Sequence, residues 1–310
     1  MRTMNWLMGV LIAEVGGISA ASGWDGCGHE VVATIAYEQL PAAVKAKVDK
    51  VFSNDPRGRT FVDAATWPDD IKMNRRNDPP KAPVNRAWHY VDIPYDASAT
   101  EIEEVVTNGG VTVSNHKEKS ANVVTAITHY ANYLKAGRGT RRSKADALSF
   151  LIHYVGDVHQ PLHCVTVGQA LPNYDPPERG DAGGNGFGIH HHAQELHALW
   201  DDSFDEPIDD HGGGRDSTVA HAKQVADALR LKFHSTPEQV AEDDPADWAK
   251  ESYGFRQFAY GLPEDPASHA ASKAHEVTPE YLAQQQEIAG ARAVLAGDRL
   301  AALLVWIYGN

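Results

Sequence analysis

The chain has 310 residues, 28 basic and 42 acidic side chains, a formal net charge of −14, 42% hydrophobic and 23% charged residues, and two cysteines. That balance excludes a disordered chain, a multi-span membrane protein and a disulfide-dense scaffold. It also excludes a protein that grips nucleic acid through a broadly basic surface. Histidine stands out, with 16 copies. Histidine is the commonest metal ligand and a common acid–base group, so the composition directs attention to metal sites.

Residues 1–23 read as a secretory signal: Arg2 in the n-region, a short apolar run over residues 6–13 interrupted afterwards by Glu14, and small residues 19–23 ahead of Trp24. Cleavage before Trp24 gives a secreted or periplasmic protein and leaves residues 24–310 as one domain. The apolar run is too short to span a bilayer, and the apolar C-terminal stretch contains Asp298 and Arg299, which suits a buried helix rather than a span.

Most of the remaining chain has helical periodicity. Residues 29–40 are apolar at helical spacing, and Pro41 opens a second helix at its first position. Residues 121–135 and 145–158 carry apolar side chains three and four apart. Thr236-Pro237 and Thr278-Pro279 are N-cap signals, the second opening a long C-terminal helix. Residues 88–93 and 110–113 read as short strands, and residues 77–83 and 171–188 as loops. The fold class is mainly α: one compact helical domain with a few short strands and long loops.

Five groups of residues carry the chemistry. His153-Tyr-Val-Gly-Asp157 puts a histidine and an aspartate four apart on one helix face, where both can hold one metal. Pro161 then ends or bends the helix, and His163 follows. His197-Ala-Leu-Trp-Asp201 repeats the spacing. A single such pair is also the signature of a salt-linked helix face, so the repetition matters more than either copy. Trp24-Asp-Gly-Cys-Gly-His29 follows the cleavage point, where a new α-amine near neutral pKa can lose its proton and bind zinc. Residues 64–72 supply Asp69 and Lys72, and Ala87-Trp-His89-Tyr90-Val-Asp92 supplies the last group. Alone, these two stretches read as core packing with a capped turn.

In this order the five groups resemble the zinc-dependent single-strand nuclease and 3′-nucleotidase family, the S-one/P-one type, whose superfamily includes zinc-dependent phospholipase C. The resemblance extends through Gly180-Asp-Ala-Gly-Gly-Asn185, Trp248-Ala-Lys-Glu-Ser252 and the helix around Arg292 and Arg299. It implies a helical fold around three Zn2+ ions. The Trp24 amine and carbonyl, His29 and Asp157 would hold one ion. Asp69, His89, His153 and a bridging Asp157 would hold the next. His163, His197 and Asp201 would hold the third, with a position left open. The implied substrates are single-stranded DNA and RNA and 3′-nucleotides, with no stable protein partner. Asp69 would orient water, Lys72 would stand where the family usually has arginine, Tyr90 would stack on a base, and Asp92 would contact it. The plainer alternatives are a solvated cation for Lys72 and a core aromatic for Tyr90. Phospholipase C is the competing enzyme, but the short Trp24–His29 spacing and the aspartate at 201 fit the nuclease branch. An exported zinc-storage protein is the non-enzymatic alternative.

Cys27 and Cys164 lie beside ligand positions, and a disulfide between them is the expectation for an exported protein, with two buried thiols, or a thiol that competes for zinc, as the alternatives. His190, His191 and His192 read as an exposed loop tract. Arg75 and Arg76 lie near Asp69. His159 is a candidate to support the cluster from behind.

Overall fold

Polar residues just ahead of apolar runs start several of the helices. The computed structural model describes residues 24–53, 55–72, 86–108, 122–168, 180–204, 215–262 and 274–309. Its helices are α1 (Gly26–Gln39), α2 (Ala42–Phe52), α3 (Trp67–Lys72), α4 (Ala99–Asn108), α5 (Val123–Lys135) and α6 (Arg141–His159). They continue with α7 (Leu196–Asp201), α8 (Arg215–Lys232), α9 (Pro237–Ala241), α10 (Pro245–Tyr253), α11 (Arg256–Ala259) and α12 (Pro279–Tyr308). Asp25, Asn122, Thr140, Thr236, Asp244 and Thr278 each accept a backbone N–H of the helix they precede. Pro237 and Pro279 occupy the first helical turn as expected, whereas Pro41 sits one position earlier, as the N-cap of α2.

Helix α6 is the axis of the molecule. From Ala147 to His159 every residue is buried, which requires neighbours on all faces. α5, α12, α10 and α1 supply them, and α1 in turn packs on α12 and α8. α6 stops at His159, and Pro161 opens a 3-10 turn, Pro161–Cys164, that redirects the chain. Among the described residues no helix is long and apolar enough to cross a membrane.

The strands differ from expectation. Residues 86–89 form a 3-10 turn, and the chain beyond them makes only an isolated bridge, Pro94 to Thr166. Val91 N–H donates to His163 O at 2.8 Å, and Thr166 N–H to Ile93 O at 2.9 Å, so the segment pairs with chain too short to form a ladder. The strands among the described residues are β1 (Ile189–His190) and β2 (His275–Glu276), which pair in parallel with Ile189 opposite His275. The expected strand at 110–113 and loop at 77–83 lie outside the described residues, as does the loop at 171–188 up to residue 179.

Candidate metal centre

Elements from across the chain converge on the C-terminal half of α6. α6 itself places His153 and Asp157 one turn apart, with His153 Nε2 3.1 Å from Asp157 Oδ2. α1 brings His29 Nε2 to 3.4 Å from Asp157 Oδ1. The 3-10 turn at 86–89 brings His89 Nδ1 to 3.0 Å from Asp157 Oδ2 and 3.6 Å from Asp69 Oδ1. Asp69 Oδ1, from the first turn of α3, is also 3.6 Å from His153 Nε2. The turn after Pro161 sets His163 Nδ1 3.7 Å from Asp157 Oδ1 and His163 Nε2 3.2 Å from His197 Nε2. α7 completes the group, with His197 Nε2 3.3 Å from Asp201 Oδ2.

These residues form three sets whose donor atoms lie close enough to share an ion: His29, His153 and Asp157; Asp69, His89 and His153; and His163, His197 and Asp201. All are buried except Asp69, whose side chain is 15% exposed and marks the open edge of the cluster. Eight of the nine expected ligand residues therefore meet through their side chains. The ninth, Trp24, is fully buried beside them: its indole N–H donates to Gly156 O at 3.1 Å, next to Asp157.

The hydrogen bonds behind the rings assign the tautomers. A carbonyl only accepts, so His153 Nδ1 must donate to Ala65 O, His163 Nδ1 to His89 O and His197 Nδ1 to Gly183 O, each at 2.6 Å. In the neutral rings Nε2 is then a lone pair turned towards the cluster, the arrangement seen behind metal-bound histidine. The His163 and His197 Nε2 atoms face each other in this way, which is repulsive without a proton or cation between them. Both nitrogens of His29 and Asp157 Oδ1 are buried and have no hydrogen-bond partner among the described residues. Imidazole and carboxylate donors with such orphaned atoms fit a divalent ion of the zinc type.

Burial, then the neighbouring His153, push His29 down to about 4, so it is a neutral donor at neutral pH. Burial opposes charge on His153, but Asp157 and Asp69 outweigh it and raise its pKa. Burial likewise opposes the Asp157 carboxylate, yet the His153 and His163 rings hold it well below its ordinary range. An arriving cation therefore competes with protons for the same lone pairs.

Tyr90 and Asp92 are half-buried on the stretch that leaves His89. Asp92 acts electrostatically on the Tyr260 phenol, whose pKa burial, Asp181 and Asp92 push well up. Lys72 ends α3, and its side chain, like Arg75 and Arg76, lies outside the described residues.

The expected disulfide is absent. Cys27 and Cys164 are both buried thiols: Cys27 Sγ donates to Phe204 O at 3.5 Å and Cys164 Sγ to Val158 O at 3.4 Å. Burial pushes the Cys164 thiol up to about 12, which suits a buried apolar residue rather than a reactive one. His159 points away from the cluster: its Nδ1 donates to Val155 O and its Nε2 accepts from Arg299. In the histidine tract, His190 and His192 are exposed and His191 half-buried, with His190 in β1.

The sequence reading gave no role to two supports, although Ser252 and Arg292 lie in segments that carry the resemblance. Gln160 Nε2 donates to Asp201 Oδ1 at 2.8 Å. Ser252 Oγ donates to Val158 O at 2.6 Å and Arg292 Nε to His159 O at 3.2 Å, closing the C-terminal carbonyls of α6. Arg292 and Arg299 both pair with Glu251. Neither support has a spacing signature, because the partners lie 41 and 94 positions apart.

A helical protein whose central helix gathers buried histidines and aspartates into sets that could hold a metal ion has the donor arrangement that a metal-dependent hydrolase requires. The chain belongs to the S1/P1 nuclease family, whose model matches residues 24–309. It is 26% identical to Nuclease S1 of Aspergillus oryzae over 67% of this chain and 61% of that protein. It is 27% identical to Endonuclease 3 of Arabidopsis thaliana, over 64% of this chain and 59% of that one. Nuclease P1 of Penicillium citrinum is 21% identical over 45% of this chain and 47% of its own length. Each matched stretch spans less than two thirds of the relative.

Proposed function

We propose that the chain from Trp24 onwards is an exported, zinc-dependent phosphodiesterase. It cleaves single-stranded DNA and RNA to 5′-nucleotides and removes phosphate from 3′-nucleotides. The supporting observation is a buried centre, open at Asp69, in which two donor sets share His153 and the third approaches Asp157 through His163 Nδ1 at 3.7 Å.

In this reading Trp24, His29 and Asp157 hold one zinc ion, Asp69, His89, His153 and Asp157 the second, and His163, His197 and Asp201 the third. Zinc held there would supply hydroxide at neutral pH and offset the charge that develops on the phosphoryl oxygens. Asp69 stands at the open edge, where its carboxylate orients the attacking water and holds its proton. Lys72 contacts a phosphate oxygen as a point charge. Tyr90 offers its ring to one unstacked base and Asp92 accepts from that base's edge, which favours single strands over duplex. With a net charge of −14, the surface contributes little long-range attraction, so recognition is concentrated at the cluster.

The test is hydrolysis of heat-denatured DNA, duplex DNA and phosphatidylcholine by the mature, untagged protein, before and after a chelator and then added zinc. Cleavage of the denatured DNA that the chelator abolishes and zinc restores supports the reading. Turnover of phosphatidylcholine alone overturns it in favour of a phospholipase.

A further inference from the structure

We propose that Gln160 is a positioning residue for the third metal site, and that it does so by selecting which oxygen of Asp201 faces the cluster. The inference rests on the reading of the cluster as a metal centre. Gln160 is fully buried and caps the C-terminus of α6. Its carboxamide works at both ends: Nε2 donates to Asp201 Oδ1 at 2.8 Å, and Oε1 accepts from Leu162 N–H, the bond that starts the turn carrying His163. Its backbone N–H donates to Asp157 O at 3.0 Å, and its carbonyl accepts from His163 N–H at 3.1 Å.

One residue thus ties together Asp157, His163 and Asp201, which come from the end of α6, the turn after it and α7. With Oδ1 of Asp201 engaged, Oδ2 is the oxygen left 3.3 Å from His197 Nε2. Asp201 is held from its backbone too, its carbonyl accepting from Asp25 N–H at 3.1 Å beside Trp24. A carboxamide donates to a carboxylate and accepts from a backbone N–H with a single planar group that does not titrate. A carboxylate of the same shape keeps the second bond and turns the first into a repulsion. A thioether of similar length keeps neither.

The experiment compares the mature wild type with Gln160→Glu and Gln160→Met. Zinc is titrated into chelator-stripped protein, and bound metal per chain, melting temperature, kcat and KM on denatured DNA are measured. The wild type is expected to take up three ions. Both variants should keep two at wild-type affinity and bind the third about 10–100-fold more weakly, because an outer hydrogen-bond partner of a ligand has been lost. kcat should fall in step, with KM less affected. Gln160→Glu buries a second carboxylate beside Asp201 and should lower the melting temperature of the metal-free protein, so the two ions still bound at wild-type affinity, rather than the melt, separate positioning from folding. Three ions bound to Gln160→Glu at wild-type affinity would overturn the proposal while leaving the metal centre intact. A wild type that takes up no zinc overturns the metal-centre reading itself, and the proposal with it.

Discussion

The indole N–H of Trp24 donates to the carbonyl of Gly156 at 3.1 Å, a bond that spans 132 positions and ends one residue before Asp157. The start of the described chain is thereby docked on the cluster, with Asp25 N–H held by Asp201 O. If the Trp24 α-amine is a ligand, any extension left on it turns an amine into an amide, which is a poor donor. A protein that retains residues before Trp24 should hold one zinc ion fewer than the processed one and lose about tenfold or more in activity. Metal analysis of both forms checks this, and equal metal content in the two contradicts it.

Asp157 faces His29, His89, His153 and His163 at once. Asp157→Asn keeps the shape and removes the charge of the His29–His153–Asp157 set, which the proposed second site would share. Activity should fall by more than about a hundredfold, exceeding the loss usual for an outer partner of a ligand. The rise in melting temperature on adding zinc should shrink with it. At a hundredfold excess over Kd a single ion stabilises by about 2.7 kcal/mol, so the change is readily measured.

Gly156 sits inside α6, where alanine ordinarily stabilises a helix by about 0.5–1 kcal/mol. Here a Cβ would lie 2.8 Å from His29 Nδ1 and 3.2 Å from its Cε1. The clash should win, and Gly156→Ala is expected to cost about 1–3 kcal/mol and to displace the His29 ring. Thermal melting with and without zinc measures both effects, and a stabilised variant with normal zinc binding would contradict the account.

Glu251 takes both Arg292 and Arg299, the latter through two hydrogen bonds of 2.7 and 2.8 Å. Burial raises its pKa, but the two arginines outweigh that and hold it below its ordinary 4.5. The unfolded chain therefore binds this proton first, so the stabilisation is present above pH 4.5 and is lost as pH falls through the lower folded value. Glu251→Gln should cost about 2 kcal/mol at pH 7, a modest figure because the carboxylate is partly exposed. The gap to the wild type should narrow steadily below pH 4.5. Denaturant melts across that range check the sign.

The sequence exposes the ligands that share a helix most clearly. His153 with Asp157, and His197 with Asp201, are four apart because one helical turn brings them to one face, and Pro161 announces the end of α6 by its missing N–H. His89 and Asp69 carry no such periodicity, and only their order in the chain made them readable. The strand expected at residues 88–93 failed because alternating burial arises here from contact with the 163–166 segment rather than from a ladder. The disulfide failed because two cysteines near one centre need not face each other, and both thiols turn to backbone carbonyls instead. Gln160 carried no signal, and Glu251, Arg292 and Arg299 lie in segments recognised by resemblance without their pairing, for a common reason: buried polar partners are chosen by tertiary packing, which leaves no local spacing.

Crystals of the mature protein grown with zinc, with anomalous diffraction recorded on both sides of the zinc absorption edge, test the central claim most directly. The account predicts three zinc peaks, one beside each of the sets His29–His153–Asp157, Asp69–His89–His153 and His163–His197–Asp201. A fully loaded crystal with its zinc peaks elsewhere, or with none among these residues, would contradict it.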